Sequence, residues 1–429
     1  MLDNLRHLHF IGIGGSGISA LAYLAKAHGL KVTGSDVAKN PTTERLEQDG
    51  IVVFIGHQKE NMNELTELVV YSEAIDKKTN PEYVEAKNRG LQTMSYFELL
   101  GELSAKKKTI VITGTHGKTT TTAMLGQALI EAGLDPTVIV GTRVPYFENR
   151  NIHIGHSEWL VVEGCEYRRN FSNLNPFGMM VLNCEWEHVD YFKTKEDYVL
   201  AFQELAQKLP KEGFMVYNQT DENARNIAHH AQGKKIPVNF TDTSEIRLKV
   251  PGDFNLLNAA HALKTGEAMG ISRAQLLMGL YHFAGTARRM EFKGEYKGVP
   301  IIDDYAHHPT EIKATLSALK QKYPDKRLIC VFQPHQYSRT FELLEDFKTA
   351  FFKADKVIIP NIYEARDTEE DKAKISAETL CKTIPNAVWG RNFEETLKWL
   401  KSELQPGDLV VTMGAGDVYK IGELLLLED

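Results

Sequence analysis

Short apolar runs recur along this chain, each closing on glycine or polar residues, and longer stretches of helical periodicity separate them. The runs read as buried strands at 7–13, 31–33, 68–71, 109–113, 136–140, 158–162, 178–183, 213–217, 299–302, 327–332, 356–360 and 408–413. The stretches between them predict helices at 18–28, 80–88, 119–132, 195–209, 222–230, 272–283 and 312–322, with a last helix after 417. Strand–helix alternation argues for mostly parallel sheets covered on both faces, the α/β class. Lys106-Lys107-Lys108 reads as a solvated linker and sets a first domain boundary.

Composition narrows the picture. The chain has 429 residues, and 42% are hydrophobic, enough for several sizeable cores. Net charge is −7 with no block of like charges, so nucleic acid is not an expected partner. No apolar span reaches the roughly 18 residues that a membrane helix needs. The chain runs from Met1 straight into a strand without a signal peptide, and Cys165, Cys184, Cys330 and Cys381 are scattered. Reduced thiols and a cytoplasmic location are therefore expected, with no membrane partner.

Two glycine loops carry the candidate chemistry. Gly12-Ile13-Gly14-Gly15-Ser16-Gly17 joins the first strand to the first helix, and Asp36 closes the next strand. This is the layout of a Rossmann-type unit that holds a pyrophosphate on a helix N-terminus, with the acid on a ribose hydroxyl. Gly114-Thr115-His116-Gly117-Lys118-Thr119-Thr120 also lies between a strand and a helix. Its backbone N–H groups suit phosphate oxygens, Lys118 supplies charge, and Thr119 or Thr120 offers a hydroxyl to Mg²⁺. Ile112 stands where the usual phosphate loop has its first glycine. Two later strands end in Glu163-Gly164-Cys165-Glu166-Tyr167 and Asn183-Cys184-Glu185-Trp186-Glu187-His188. Ligands gather at the carboxyl ends of strands in such sheets, which makes Glu163 and His188 candidate metal ligands. Further polar clusters close the C-terminal strands: Asp303 to Glu311, Gln333 to Thr340, Tyr363 with Arg366, and Gly414 to Asp417.

These motifs resemble the Mur ligases, which build the peptide stem of bacterial peptidoglycan. The resemblance covers nearly the whole chain. It rests on G-I-G-G-S-G at Gly12, G-T-H-G-K-T-T at Gly114, R-R at Arg288, D-D-Y-A-H-H-P-T-E at Asp303, F-Q-P-H at Phe332 and G-A-G-D at Gly414. It implies three domains: a Rossmann-like UDP-sugar domain at 1–106, a central P-loop ATPase-type parallel-sheet domain at 107–296, and a C-terminal Rossmann-like α/β domain for the amino acid at 297–429. It also implies UDP-sugar contacts at Gly12, Gly14, Gly15, Ser16, Gly17, Asp36 and Ser72. ATP contacts would fall at Gly114, Thr115, His116, Gly117, Lys118, Thr119, Thr120, Asn255, Asn258 and Arg288. Metal ligands would be Thr119, Thr120, Glu163 and His188, and the amino acid would meet Tyr305, His307 and Arg339.

The cofactors implied are ATP and Mg²⁺. The substrates implied are UDP-N-acetylmuramate and L-alanine, joined through an acyl phosphate by a monomer or homodimer, with Lys118, His307 and Arg339 as the catalytic set. Three departures from the family pattern stand out: Gly164-Cys165 in the acidic strand end, Phe254 before Asn255, and Gln336 in the turn before Arg339. The first is closer to members that attach a recycled tripeptide to the same sugar nucleotide. An NAD-dependent oxidoreductase built on the first loop would leave the Lys118 loop unexplained, and a catalytically dead sensor would lack Lys118. On this reading Lys118→Ala abolishes turnover with the fold intact, and Gln336→Arg tightens L-alanine binding.

Overall fold

A computed structural model of the chain describes residues 5–365 and 367–427; Arg366 lies outside the described residues. The described chain forms three α/β sheets. The first comprises β1 (His7–Ile11), β2 (Lys31–Asp36), β3 (Val52–Ile55), β4 (Leu68–Tyr71) and β5 (Gln92–Ser95). Its order is β3-β2-β1-β4-β5, parallel throughout. The second comprises β6 (Lys108–Thr113), β7 (Thr137–Val144), β8 (Arg150–His153), β9 (Trp159–Glu163), β10 (Pro176–Val181), β11 (Phe214–Asn218) and β12 (Lys234–Val238). Its order is β12-β11-β10-β6-β9-β7-β8, with only β8 antiparallel to its neighbour. The third comprises β13 (Glu291–Tyr296), β14 (Val299–Asp304), β15 (Arg327–Phe332), β16 (Lys356–Ile359), β17 (Ala387–Trp389) and β18 (Asp408–Met413). Its order is β13-β14-β18-β15-β16-β17, with β13 antiparallel.

The α/β class read from strand–helix alternation is the observed one. Its physical origin is visible in the central strands. β1, β6, β14 and β18 are covered on both faces, so their apolar runs are nearly unbroken. Edge strands escape the same reading: β3 leaves Val52 and Ile55 about half exposed. Lys108 is the first residue of β6 rather than the end of a linker.

The sheets assemble into two compact units. One runs through Glu187 and takes in Thr194–Ile246 and Asn258–Tyr281; the other comprises His188–Lys193, Arg247–Leu257 and the chain from His282 on. In the first unit the helix Ser16–Ala27 packs on its own sheet and against β7 and β8. Arg150 Nε and Nη2 fork onto the Asp49 carboxylate at 3.1 Å each. Buried Asn151 donates to Ser19 Oγ at 3.0 Å and to the Ser16 carbonyl. The first two sheets are thus fastened together beside the first glycine loop.

Candidate functional site

The first glycine loop sits at the carboxyl edge of its sheet, where strand order reverses between β1 and β4. Gly12 has φ +76°, and a Cβ on Gly14 would meet Asn40 and Asp36 at 2.7 and 2.8 Å. Only glycine lets the chain pass there. Asp36 Oδ2 accepts from Gly14 N at 2.8 Å, so this acid holds the loop as well as lining the cleft. The cleft has a volume of about 560 Å³ and includes Gly12, Gly14, Gly15, Asp36 and Ser72. No side chain caps the helix that opens at Ser16, which leaves its first N–H groups facing outward.

The second loop runs from β6 into the helix Lys118–Glu131. Gly117 takes φ +85° at the cap, and a Cβ there would lie 2.8 Å from Asn258 Oδ1. Asn183 braces the loop: its Oδ1 accepts from His116 N at 2.8 Å and its amide donates to His116 O at 3.1 Å. Thr115 Oγ1 donates to Glu185 O at 2.6 Å, and His116 Nε2 lies 3.0 Å from Glu185 Oε2. Lys118 Nζ donates to Gly114 O at 2.5 Å and Thr115 O at 3.1 Å, and meets Glu166 Oε2 at 3.0 Å. Burial works against this ammonium, but Glu166, Glu187 and Cys165 outweigh it and hold its pKa above the usual lysine value. Burial and the Glu166 charge push the Cys165 thiol up to about 12, so it is inert at neutral pH.

Thr119 Oγ1 donates to Glu163 Oε2 at 3.0 Å, and Glu163 Oε1 accepts from Gly141 N. Thr120 is buried beside it. His188 follows Glu187 directly at φ +55° and opens the short segment that belongs to the second unit. Asn255 is buried and donates to Pro251 O at 2.7 Å, which ties it to the start of its own helix. Glu166 was missed as a site residue on sequence alone. It is buried, and it is the carboxylate against Lys118. The only signal was a second acid close behind Glu163 at the same strand end.

In the second unit, Arg288 reaches across the ends of β14 and β18. Its guanidinium binds Asp303 Oδ2 at 2.9 Å, Gly414 O at 2.7 Å and Gly416 O at 3.1 Å. It also lies over the Tyr305 and Tyr419 rings. Arg289 covers Tyr305 as well. Asp304 accepts from Met290 N and Ala306 N at 2.8 Å each, and burial pushes its carboxyl up to about 6 against the pull of Arg289. His307 N donates to Glu311 Oε2 at 3.2 Å, and its Nδ1 lies 3.2 Å from Tyr305 O. Arg339 is 7% exposed, with Nη1 3.2 Å from His335 Nδ1. His335 stacks on Tyr363 at 5.3 Å and lies 6.3 Å from the His307 ring. His307 and Arg339 therefore both meet His335, a residue of the F-Q-P-H motif to which the sequence assigns no role, and Tyr305 joins them through the His307 ring at 5.6 Å. Gln336 does not face that cluster with an open amide. It is buried at φ +73°, and its Nε2 donates to Ala365 O at 2.8 Å.

Together these features define an α/β protein with two strand–glycine loop–helix arrangements of the phosphate-binding kind in one unit and an Arg-His cluster in the other. Three family models match it: the Mur ligase family catalytic domain over residues 7–108, the Mur ligase middle domain over 112–245, and the Mur ligase glutamate ligase domain over 288–416. The chain belongs to the Mur ligase family. It is 40% identical to a UDP-N-acetylmuramate–L-alanine ligase of Clostridium kluyveri, over 98% of each chain. It is 38% identical to the protein of the same name from Clostridium tetani, over 99% of each. Among solved structures, it matches UDP-N-acetylmuramate-alanine ligase MurC of Thermotoga maritima with a TM-score of 0.83, at 25% identity and 98% coverage of both chains. A murein peptide ligase of Psychrobacter arcticus shares the fold with a TM-score of 0.76, at 23% identity and the same coverage.

Proposed function

We propose that the protein is an ATP-dependent ligase that joins L-alanine to the carboxylate of UDP-N-acetylmuramate. The observation that carries this reading is near-full-length identity of 37–40% to ligases of that name, in a chain that keeps both glycine loops. The division of labour follows the three sheets: sugar nucleotide at 1–106, ATP at 107–296 and amino acid at 297–429. No helix among the described residues is long and apolar enough to cross a membrane, and the reading assigns the protein to the cytoplasm, where such precursors are made.

In the first step a carboxylate oxygen of the sugar attacks the γ-phosphorus of ATP and ADP leaves. In the second the alanine amine attacks the acyl carbon, phosphate leaves, and the nitrogen gives up a proton. Such transfers ask a protein mainly for positioning and charge neutralisation. Lys118 sits where its ammonium can exchange loop carbonyls and Glu166 for phosphate oxygens. The donor set fits Mg²⁺: the Thr119 hydroxyl, Glu163 and Glu166 are hard oxygen ligands at the loop, and His188 is a further candidate. Held by these residues, a divalent ion would supply charge neutralisation to the phosphates. In the C-terminal cluster, Arg339 would grip the alanine carboxylate and His307 would orient or deprotonate the amine.

The test is phosphate release by the purified chain with ATP and UDP-N-acetylmuramate, offering L-alanine, glycine, L-serine and the murein tripeptide in turn. Release with L-alanine well above the others supports the proposal. A preference for tripeptide replaces it with the recycling activity, and release independent of the sugar nucleotide sinks both.

A further inference from the structure

Beneath the first cleft lies a buried polar network that the chemistry above does not use. Glu82 is on the first turn of the helix Pro81–Asn88 and is fully buried, as are His9 on β1 and Ser35 on β2. Glu82 Oε2 accepts from Ser35 Oγ at 2.5 Å. Glu82 Oε1 accepts from Asn61 Nδ2 at 2.6 Å and from Gln58 N at 3.4 Å. His9 Nε2 lies 3.8 Å from the same carboxylate, and His9 Nδ1 is 2.9 Å from Thr33 Oγ1. Burial alone would raise the Glu82 carboxyl. The contacts with His9, Ser35 and Asn61 outweigh it and hold Glu82 below the usual glutamate range, so it is ionised at neutral pH.

His57 joins this network to the cleft. Its Nδ1 lies 2.9 Å from Ser35 Oγ and 3.2 Å from Glu82 Oε2. The Ser35 hydrogen already points at Glu82, and the carboxylate has none to give. Both neighbours of Nδ1 are therefore acceptors there, and Nδ1 must carry the proton. In the neutral ring that leaves Nε2 as a bare acceptor. Among the described residues nothing hydrogen-bonds Nε2, and His57 lines the cleft together with Gly14, Asp36 and Asn40. With Nδ1 turned inward, the edge His57 offers to the cleft is the Nε2 edge.

Resting on the sugar-nucleotide reading of this cleft, we propose that Glu82 is a positioning residue that locks His57 in the Nδ1–H tautomer, so that Nε2 accepts a hydrogen bond from the nucleoside end of the ligand. The pyrophosphate belongs on the glycines and the helix start, which leaves the nucleoside for the part of the cleft beyond Asp36. Two donors of a uridine nucleotide suit a bare imidazole nitrogen: the uracil N3–H and a ribose hydroxyl.

Calorimetry on the full chain with UDP, 3-methyl-UDP, 2′-deoxy-UDP and 3′-deoxy-UDP separates them. One modification is expected to weaken wild-type binding by about tenfold, the size of one lost hydrogen bond to a committed acceptor. In His57→Ala the same modification should cost less than about twofold, because the acceptor is gone. Glu82→Gln should lose the penalty too, although its imidazole is intact, since the carboxamide can donate to Nδ1 and reverse the tautomer. His57→Gln, which keeps a polar group at the cleft, guards against a misfolded alanine variant, and thermal melts report folding in each. The proposal is overturned if all three modified nucleotides bind wild type as UDP does, or if the penalty persists undiminished in His57→Ala or Glu82→Gln. If wild type binds no UDP at all, the sugar-nucleotide reading itself fails and this inference with it.

Discussion

Lys118 closes on a buried carboxylate, and that contact changes what its removal should do. Sequence alone led to the expectation that Lys118→Ala abolishes turnover with the fold intact. With Glu166 buried 3.0 Å away, truncation also leaves a carboxylate without its cation, a loss of about 3 kcal/mol for such pairs. Lys118→Ala should therefore lower turnover by at least about 100-fold, the effect of removing a preorganised charge, and lower the melting temperature as well. Adding Glu166→Gln should recover most of the stability and none of the activity. Thermal melts and phosphate release on the single and double variants decide, and a double variant no more stable than Lys118→Ala counts against the pair. The amino-acid cluster offers a second case. Arg339 is buried against His335, and a lysine cannot copy the guanidinium fork on a carboxylate. Arg339→Lys should raise the KM for L-alanine by about tenfold or more while the KM for ATP moves little. Gln336→Arg, expected from sequence to tighten alanine binding, should instead destabilise the chain by about 2 kcal/mol, because it buries a new charge and strips the bond to Ala365. A urea midpoint unchanged in Gln336→Arg would refute that.

At the scale of elements, what could be read in advance was what is local. Central strands such as β6 and β15 are continuous apolar runs, and the glycine loops that follow β1 and β6 are contiguous in sequence, so both were legible. The strands that were not are edges or near them: β5 reads Gln-Thr-Met-Ser, β12 carries a proline, and β17 has three residues. An edge strand buries one face or less, so its pattern is mixed. The helix Asp253–Ala268 was also missed, because Pro251-Gly252 reads as a turn when it is the entry to a helix. Glu166 meets Lys118 across 48 residues of chain, and no spacing rule connects them. The end of β14 shows the same limit for electrostatics. In sequence Asp303-Asp304 is only the start of a polar cluster at a strand end, and nothing in it tells that both are buried or that Asp304 is pushed up to about 6. A carboxyl with a raised folded pKa binds its proton more tightly in the native state. Its contribution is fully favourable below the unfolded value of 3.8 and is lost as pH rises to about 6. The interval of roughly two pH units corresponds to about 3 kcal/mol. Asp304→Asn should therefore flatten the pH dependence of unfolding free energy between about pH 4 and 6. Urea titrations across that window test it, and parallel curves for variant and wild type would rule it out.

At the scale of the whole molecule, three sheets do not make three independent bodies. The first two sheets form one compact unit, and the fastening runs through the element that starts at the first glycine loop. The helix Ser16–Ala27 packs against β7 and β8, Asn151 on β8 donates to Ser19, and Arg150 forks onto Asp49. Asp49 also meets Arg45 at 3.2 Å, and hydrogen bonds from Arg150 and Tyr23 hold its carboxyl below the usual aspartate range despite burial. A ligand that binds the first loop should thus stabilise the helix Lys118–Glu131 of the second sheet without touching it. By mass action, UDP at 100 times its Kd adds about 2.7 kcal/mol to whatever unfolds as one block with its site. If the two sheets open together, amides in that helix should exchange about 100-fold more slowly with UDP than without it. Removing the fastening should localise the effect. In Asp49→Ala combined with Asn151→Ala, UDP should still protect β1 and β2 but slow exchange in Lys118–Glu131 by only a few fold. Hydrogen exchange followed by mass spectrometry reads both regions in one experiment. Protection confined to the first sheet in the wild type would mean that the two sheets unfold separately and that their shared helix transmits nothing.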